Sequence, residues 1–347
     1  MINSARTRTN STDTRSVLIR RIAIILIAVM AVTQIIMLDF SYAEDTPAGT
    51  GSSVAAGEQN PSGEPAAQEP SSDQTGQPSA QTAAPEGIKA YQTKSSKKII
   101  ESNDLPEAEA IAAYGTFHGK NARRIPVITY HRVVSDKQKK KGAAKSSSLY
   151  VSQSTFRKQM KWLHKHGYRT LNCQEFLLWY EGKISLPKKS VLITFDDSRA
   201  CLAKYAYPVL KEFNMKGTVF TIGRGVLKNR KDSIKKKDIP KLQEEYPTVE
   251  YQSHTFALHR HYSMKGVYKR IKKDAAKQKK YFGFDYIAYP YGNSTKAMRK
   301  AYKDSGIKMG FAYGDNGYAT RKQDRYQIRR IKIYGNGSMY QFRRWFR

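Results

Sequence analysis

The sequence predicts an α/β fold built on a parallel sheet, with a strand count compatible with a barrel. Two observations carry this. From Ile125 onward, apolar strand-like runs alternate with helix-like stretches over about 220 residues. The run Val191-Leu-Ile-Thr-Phe195 is continuously apolar, as in a strand covered on both faces. A third observation is functional: the residues able to do chemistry fall just past the predicted strands, where α/β folds collect their sites.

The elements follow in order. Leu105–Ala113 reads as a helix and Pro126–Tyr130 as a short buried strand. Phe156, Met160 and Leu163 stand at i, i+4 and i+7, a helix stripe that ends at Gly167. Asn172 and Glu175 make a capping box for a helix through Tyr180, closed by Gly182. After Val191–Phe195 come a helix at Tyr205–Phe213 and a strand at Thr218–Ile222. Val249–Gln252 is the next strand, followed by a lysine-rich helix over 264–280. Tyr286–Tyr289, a helix over 295–304, Met309–Tyr313 and Ile328–Ile333 complete the series.

Ahead of this region the composition changes. Five arginines, Arg6, Arg8, Arg15, Arg20 and Arg21, precede an apolar run over 22–38. Its 17 residues would span about 25 Å as a helix, near the lower limit for crossing a membrane. The positive flank keeps residues 1–21 cytoplasmic and exports the rest, so the run is read as a single-pass signal-anchor. Ser41-Tyr42-Ala43 also fits a cleavage site, which leaves a secreted form as the alternative. Residues 44–95 are rich in Ala, Gly, Pro, Ser, Gln, Glu and Thr and read as a flexible linker. Residues 96–124 are transitional, and 125–347 form the main domain.

The formal net charge is +32, and its distribution is uneven. Residues 44–95 hold seven acidic and two basic side chains, whereas 96–347 hold 54 basic and 20 acidic ones. Such a field favours anionic polymers or headgroups without specifying a fold. The basic residues are spread over several helices and loops, and no helix-turn-helix or zinc-finger pattern is present, which argues against specific nucleic-acid binding. Two cysteines, Cys173 and Cys201, are too far apart for a Cys-x-x-Cys site and are read as free, mostly buried thiols.

Four groups of residues point to chemistry. Asp196 and Asp197 directly follow the strand Val191–Phe195, and paired carboxylates there call for a positive partner. His254 and His259 follow Val249–Gln252 at a spacing of i, i+5, which does not place them on one helix face, so the second must come from a turn. Two neutral imidazoles and a carboxylate make a ligand set that leaves coordination positions open. Tyr289-Pro290-Tyr291-Gly292 and Tyr130-His131-Arg132 are further strand-end groups. His164, His166 and His261 lack that context.

Thr194-Phe195-Asp196-Asp197, then Ser253-His254-Thr255 with His259, then Pro290-Tyr291-Gly292 resemble the polysaccharide deacetylase family, carbohydrate esterase family 4, in order and spacing. The resemblance covers roughly 125–335. Tyr130-His131-Arg132 resembles the branch that deacetylates poly-N-acetylglucosamine. The resemblance implies a distorted (β/α) barrel with fewer than eight repeats. It implies Asp196 as general base, His131 as general acid and Asp197, His254 and His259 as ligands of one divalent metal. Zinc is the expected ion, with cobalt, nickel, iron or manganese as alternatives. The backbone N–H of Tyr291 would serve the oxyanion, and Tyr289, Pro290 and Arg132 would contact substrate. The expected reaction is N-deacetylation of an N-acetylglucosamine polymer at the outer membrane face; the alternatives are an inactive glycan-binding domain and an O-deacetylase.

Three positions depart from the family pattern. Ser198 stands where many members have glycine. Ala288 stands where many have an arginine that orients the base, so another group must do so. For the downstream aspartate, Asp315 is the nearest candidate.

Overall fold

The structure is a computed structural model that describes residues 104–259, 266–313 and 317–347. The apolar run 22–38, the linker 44–95, His261 and Asp315 lie outside the described residues. Among the described residues, no helix is long and apolar enough to cross a membrane.

The strands, in chain order, are β1 (Val127–Tyr130), β2 (Arg132–Val134), β3 (Tyr150–Ser152), β4 (Arg169–Leu171), β5 (Ser190–Phe195), β6 (Gly217–Thr221), β7 (Val249–Ser253), β8 (Tyr286–Ala288), β9 (Met309–Ala312), β10 (Ile328–Arg329) and β11 (Ile331–Lys332). One parallel sheet runs β10-β9-β8-β7-β6-β5-β1-β11, with β4 also paired to β5. Its two ends are consecutive in sequence. β10 pairs β9 through Ile328 and Phe311, and β11 pairs β1 through Ile331 and Ile128. The segment 328–332 thus bridges the edges, and the sheet curls into a nearly closed barrel. The expected α/β fold and parallel sheet are present. The predicted strand Ile328–Ile333 is one extended run interrupted at Arg330, where its pairing passes from one neighbour to the other.

The helices follow for local reasons. The stripe Phe156, Met160 and Leu163 is buried on the helix Gln153–Lys165. The Asn172/Glu175 capping box is formed and starts the helix Cys173–Tyr180. The predicted helix Tyr205–Phe213 is instead two short helices, Ala200–Tyr205 and Tyr207–Glu212. Pro208 explains the break, since its ring cannot sit inside a continuous helix. The short strands β2, β3 and β4 were not predicted. Each has only three residues, too few for alternation to register.

Strand alternation sorts the side chains into two sets. Val191, Ile193 and Phe195 of β5 join Ile128, Val219, Val249 and Tyr251 beneath the outer helices. Leu192, Phe220, Tyr286, Met309, Phe311 and Ile328 form a separate cluster. Residues Leu192 and Thr194 therefore share their side of β5 with Asp196, and Glu250 and Gln252 share theirs with His254. Met309 and Phe311 lead to Tyr313, Ile328 leads to Arg330, and Val127 and Thr129 lead to His131. The inward register of five strands thus ends in Asp196, His254, Tyr313, Arg330 and His131.

At the strand N-termini, Leu105 N–H donates to Gln174 Oε1 at 2.9 Å and Tyr286 OH donates to Asp104 Oδ2 at 3.2 Å. Burial, reinforced by the Glu250 charge and only partly offset by Lys308, pushes the Asp104 carboxyl up to about 7. A carboxyl raised on folding binds its proton more tightly in the folded state, so stability is lost as pH rises from about 4 through 7. Asp104→Asn is expected to remove that slope, gaining up to about 4 kcal/mol at pH 8 relative to pH 4. Urea unfolding at the two pH values checks this; an unchanged slope would contradict it.

Candidate metal centre and active site

Asp196 is the first residue past β5. Its N–H donates to Tyr130 O at 2.9 Å, so β1 fixes its position. The side chain is buried. Arg330 Nη1 donates to Asp196 Oδ1 at 2.7 Å and Arg330 Nη2 to Oδ2 at 3.0 Å, a bidentate pair. Tyr313 OH donates to Oδ2 at 3.2 Å. The Arg330 guanidinium is itself fully buried and lies 4.7 Å from the Tyr313 ring centroid. Burial pushes the Asp196 carboxyl up, but Arg330, His254 and His131 together outweigh it and hold it at about 2. Arg330 is the group that orients this carboxylate in the absence of an arginine at Ala288.

Arg330 and Tyr313 were not found in the sequence. Ile328-Arg-Arg-Ile331 reads as a strand with two surface charges. The missed signal was parity, because only one of two adjacent arginines can face outward. Arg329 and Arg330 point to opposite sides, and the inward one needs a buried carboxylate.

Asp197 and Ser198 both adopt left-handed backbone, with φ of 74° and 48°. This double turn swings Asp197 away from Asp196 and toward the β7 loop. Asp197 Oδ1 lies 3.0 Å from His259 Nε2 and 3.6 Å from His254 Nε2. Burial alone would push the Asp197 carboxyl up; the two imidazoles and Arg199 instead hold it well below the usual carboxylate range.

His254 directly follows β7 and is buried, with its N–H donating to Thr221 O at 2.8 Å. Its Nδ1 lies 2.8 Å from Ala288 O. A carbonyl only accepts, so Nδ1 carries the proton and Nε2 keeps its lone pair. Burial lowers the His254 pKa despite the nearby carboxylates, which favours the neutral ring a metal requires. The loop then turns at Thr255, φ 70°, and Asp274 pins it by accepting the N–H groups of Phe256 at 2.7 Å and Ala257 at 2.9 Å. That turn, rather than a helix, brings His259 back. Burial lowers the His259 pKa, but the adjacent Asp197 outweighs it and the net shift is upward.

Asp197, His254 and His259 offer one donor atom each, all within 4.8 Å of one another. Ligand bonds of about 2.0–2.2 Å place tetrahedral donors roughly 3.4 Å apart, close to the two separations seen here. Asp197 Oδ1 is also buried without a hydrogen-bond partner among the described residues. A buried oxygen facing two imidazole nitrogens at 3.0 and 3.6 Å suits a shared cation. The three side chains therefore fit a divalent metal.

His131 stands on the same side. Its Nε2 lies 4.0 Å from Asp196 Oδ2, and it does not belong to the ligand cluster. Its side chain is 17% exposed, so the ring reaches the surface rather than the core. Burial lowers its pKa against the opposing pull of Asp196 and Asp197.

The Pro290-Tyr291-Gly292 turn follows β8. Tyr291 is left-handed at φ 58° and exposes its ring, whose centroid is 5.2 Å from that of His259. Gly292 must be glycine, since a Cβ would meet Tyr313 atoms at 2.5–2.8 Å and its φ is 71°.

Three expected substrate contacts need correction. Tyr289 is fully buried, on the outer side of β8 by parity, and its OH donates to Tyr326 O at 2.9 Å. Its ring packs edge-on against Tyr302. Pro290 is buried as well. Arg132 is engaged by Asp232, with Nη1 donating to Oδ1 at 3.1 Å and Nη2 to Oδ2. These side chains shape the site rather than line it.

A polysaccharide deacetylase family profile matches residues 183–310. The chain is 34% identical over 212 residues to a poly-beta-1,6-N-acetyl-D-glucosamine N-deacetylase of Staphylococcus aureus, covering 56% of this chain and 71% of that protein. Among solved structures, IcaB from Ammonifex degensii matches with 26% identity and a TM-score of 0.52, over 61% of this chain and 93% of that one. The Streptococcus pyogenes deacetylase PplD in complex with acetate shares the fold, with a TM-score of 0.56 at 22% identity over 66% of this chain and all of that one. The chain belongs to the polysaccharide deacetylase family, and its enzyme class is polysaccharide N-deacetylase.

Proposed function

We propose that the chain is a metal-dependent hydrolase that removes N-acetyl groups from a cell-surface polymer of the poly-N-acetylglucosamine type. The observation that carries this is the convergence of Asp197, His254 and His259, flanked by a buried carboxylate and a surface-reaching imidazole. The likeness to a poly-beta-1,6-N-acetyl-D-glucosamine N-deacetylase supports the substrate class.

An acetamide is a poor electrophile with a poor leaving group. A divalent metal held by Asp197, His254 and His259, zinc by our reading, would polarise the acetyl carbonyl and make a water more acidic. Asp196 takes the proton of the attacking water. Arg330 keeps this carboxylate ionised across the physiological range and fixes its direction. The backbone N–H of Tyr291 donates to the developing oxyanion. His131 gives a proton to the departing amine; burial lowers its pKa, which makes the protonated ring a stronger acid. The exposed Tyr291 ring offers an apolar face to a sugar. In this reading the run 22–38 tethers the enzyme to the outer membrane face, and the linker 44–95 lets it reach polymer. The basic domain would also hold it near anionic cell-wall polymer.

The amine-protonation step is tested by His131→Ala. Acetamide turnover should fall about 10²–10⁴-fold with metal affinity unchanged. The loss on an activated acetate ester should be much smaller, because its leaving group needs no proton. Equal losses on both substrates would assign His131 a structural role only.

A further inference from the structure

The two oxygens of Asp197 face different partners. Oδ1 faces the imidazoles. Oδ2 accepts Arg199 Nε at 3.2 Å and Arg199 Nη2 at 2.9 Å. The remaining nitrogen, Nη1, donates to Asp232 Oδ2 at 2.9 Å. Asp232 in turn is gripped by Arg132, the residue next to His131. A line of alternating charges, Arg132–Asp232–Arg199–Asp197, therefore links the two sides of the proposed catalytic machinery.

The backbone reinforces this line. Ala200 N–H donates to Asp232 O at 3.1 Å and Ile234 N–H to Ser198 O at 3.0 Å, and Arg199 bridges to Ser233. The 232–234 segment thus clasps the turn formed by Asp197 and Ser198. Two successive left-handed residues without glycine are strained on their own, and the clasp holds them in place. Asp232 is half exposed and Arg199 is 28% exposed, so neither charge is there to fill the core.

We propose that Arg199, braced by Asp232, is a positioning residue that reserves Asp197 Oδ2 and makes Asp197 a one-oxygen ligand. This rests on the metal reading above. A carboxylate limited to one oxygen favours an ion content with four donors, such as zinc. A carboxylate free to chelate through both oxygens suits larger, oxygen-seeking ions with more ligands. The brace therefore sets which divalent ion the site prefers, and not only how tightly it binds.

The test uses the full chain in four forms: wild type, Arg199→Ala, Arg199→Lys and Asp232→Ala. Each is titrated with zinc and manganese alone, and each is loaded with one equivalent of cobalt for its visible spectrum. The ratio of zinc to manganese affinity is the decisive quantity. Both ions are divalent, so the loss of the Arg199 charge affects them equally and cancels. Arg199→Ala should lower that ratio about 10–100-fold, the range typical of groups that orient metal ligands. Its cobalt band should weaken as coordination number rises. Arg199→Lys should restore part of the ratio, and Asp232→Ala should lower it to a smaller degree. An unchanged ratio and cobalt spectrum in Arg199→Ala would overturn the brace. If Arg199→Ala fails to fold, Asp232→Ala decides by the same ratio, and no change there overturns the proposal. A wild-type chain that binds none of the three ions would instead sink the metal reading itself.

Discussion

Arg330→Met should destabilise the protein by about 3–5 kcal/mol, because it leaves the Asp196 carboxylate buried without its countercharge. Both Arg330 and Asp196 are almost wholly excluded from water and are joined by two hydrogen bonds. The pH dependence makes the expectation specific. In the wild type the Asp196 pKa is about 2, below its unfolded value. Its stabilising effect is therefore present above about pH 4 and is lost as pH falls toward 2. In Arg330→Met, burial should push the carboxyl above its unfolded value, and the sign reverses: stability falls as pH rises. Urea unfolding of both proteins at pH 5 and pH 8 checks this. The activity of the variant should also shift toward alkaline pH, since the base must now lose a proton before it can act. A variant with wild-type stability at pH 8 would show that Tyr313 and the surrounding structure suffice to hold Asp196.

Asp196→Asn should reduce acetamide turnover about 10²–10⁴-fold, the usual effect of losing a general base. Asp196 is not among the three clustered donors, so metal affinity should stay near wild type. The amide cannot neutralise Arg330, however, and this variant should be destabilised for the mirror-image reason. The double variant Asp196→Asn/Arg330→Met should be more stable than the sum of the single losses predicts, which a double-mutant cycle measures. Additive losses would show that the pair is not coupled, and near-normal turnover in metal-loaded Asp196→Asn would remove Asp196 from the proposed role.

The sequence exposed the parts of this site that depend on local pattern. Val191–Phe195 is apolar and Val249–Gln252 alternates apolar with polar residues, so both read as strands, and Asp196, Asp197 and His254 could be placed at strand ends. Asn172 and Glu175 announced a helix start through a contact only three residues long, and the capping box is formed. What stayed hidden depends on partners far along the chain. Arg330 meets Asp196 across 134 positions, a pairing that only barrel closure creates. Asp232 reaches Arg132 across 100 positions, so an arginine beside a strand-end histidine was taken for a substrate contact. Tyr289 stands in the same short segment as Tyr291, whose ring lies beside His259, but alternation turns it outward toward Tyr302 and Tyr326. The break at Ala206 comes from Pro208, which stands inside the predicted helix Tyr205–Phe213 and divides it.

The central claim is that Asp197, His254 and His259 hold one divalent metal on which deacetylation depends. It is tested most directly by stripping the full-length enzyme with a chelator and measuring acetate released from poly-β-1,6-N-acetylglucosamine as zinc is added back. We expect no release from the stripped enzyme and full recovery near one equivalent, with no recovery in His259→Ala. Undiminished release from metal-free enzyme, or recovery in His259→Ala equal to wild type, would contradict the account.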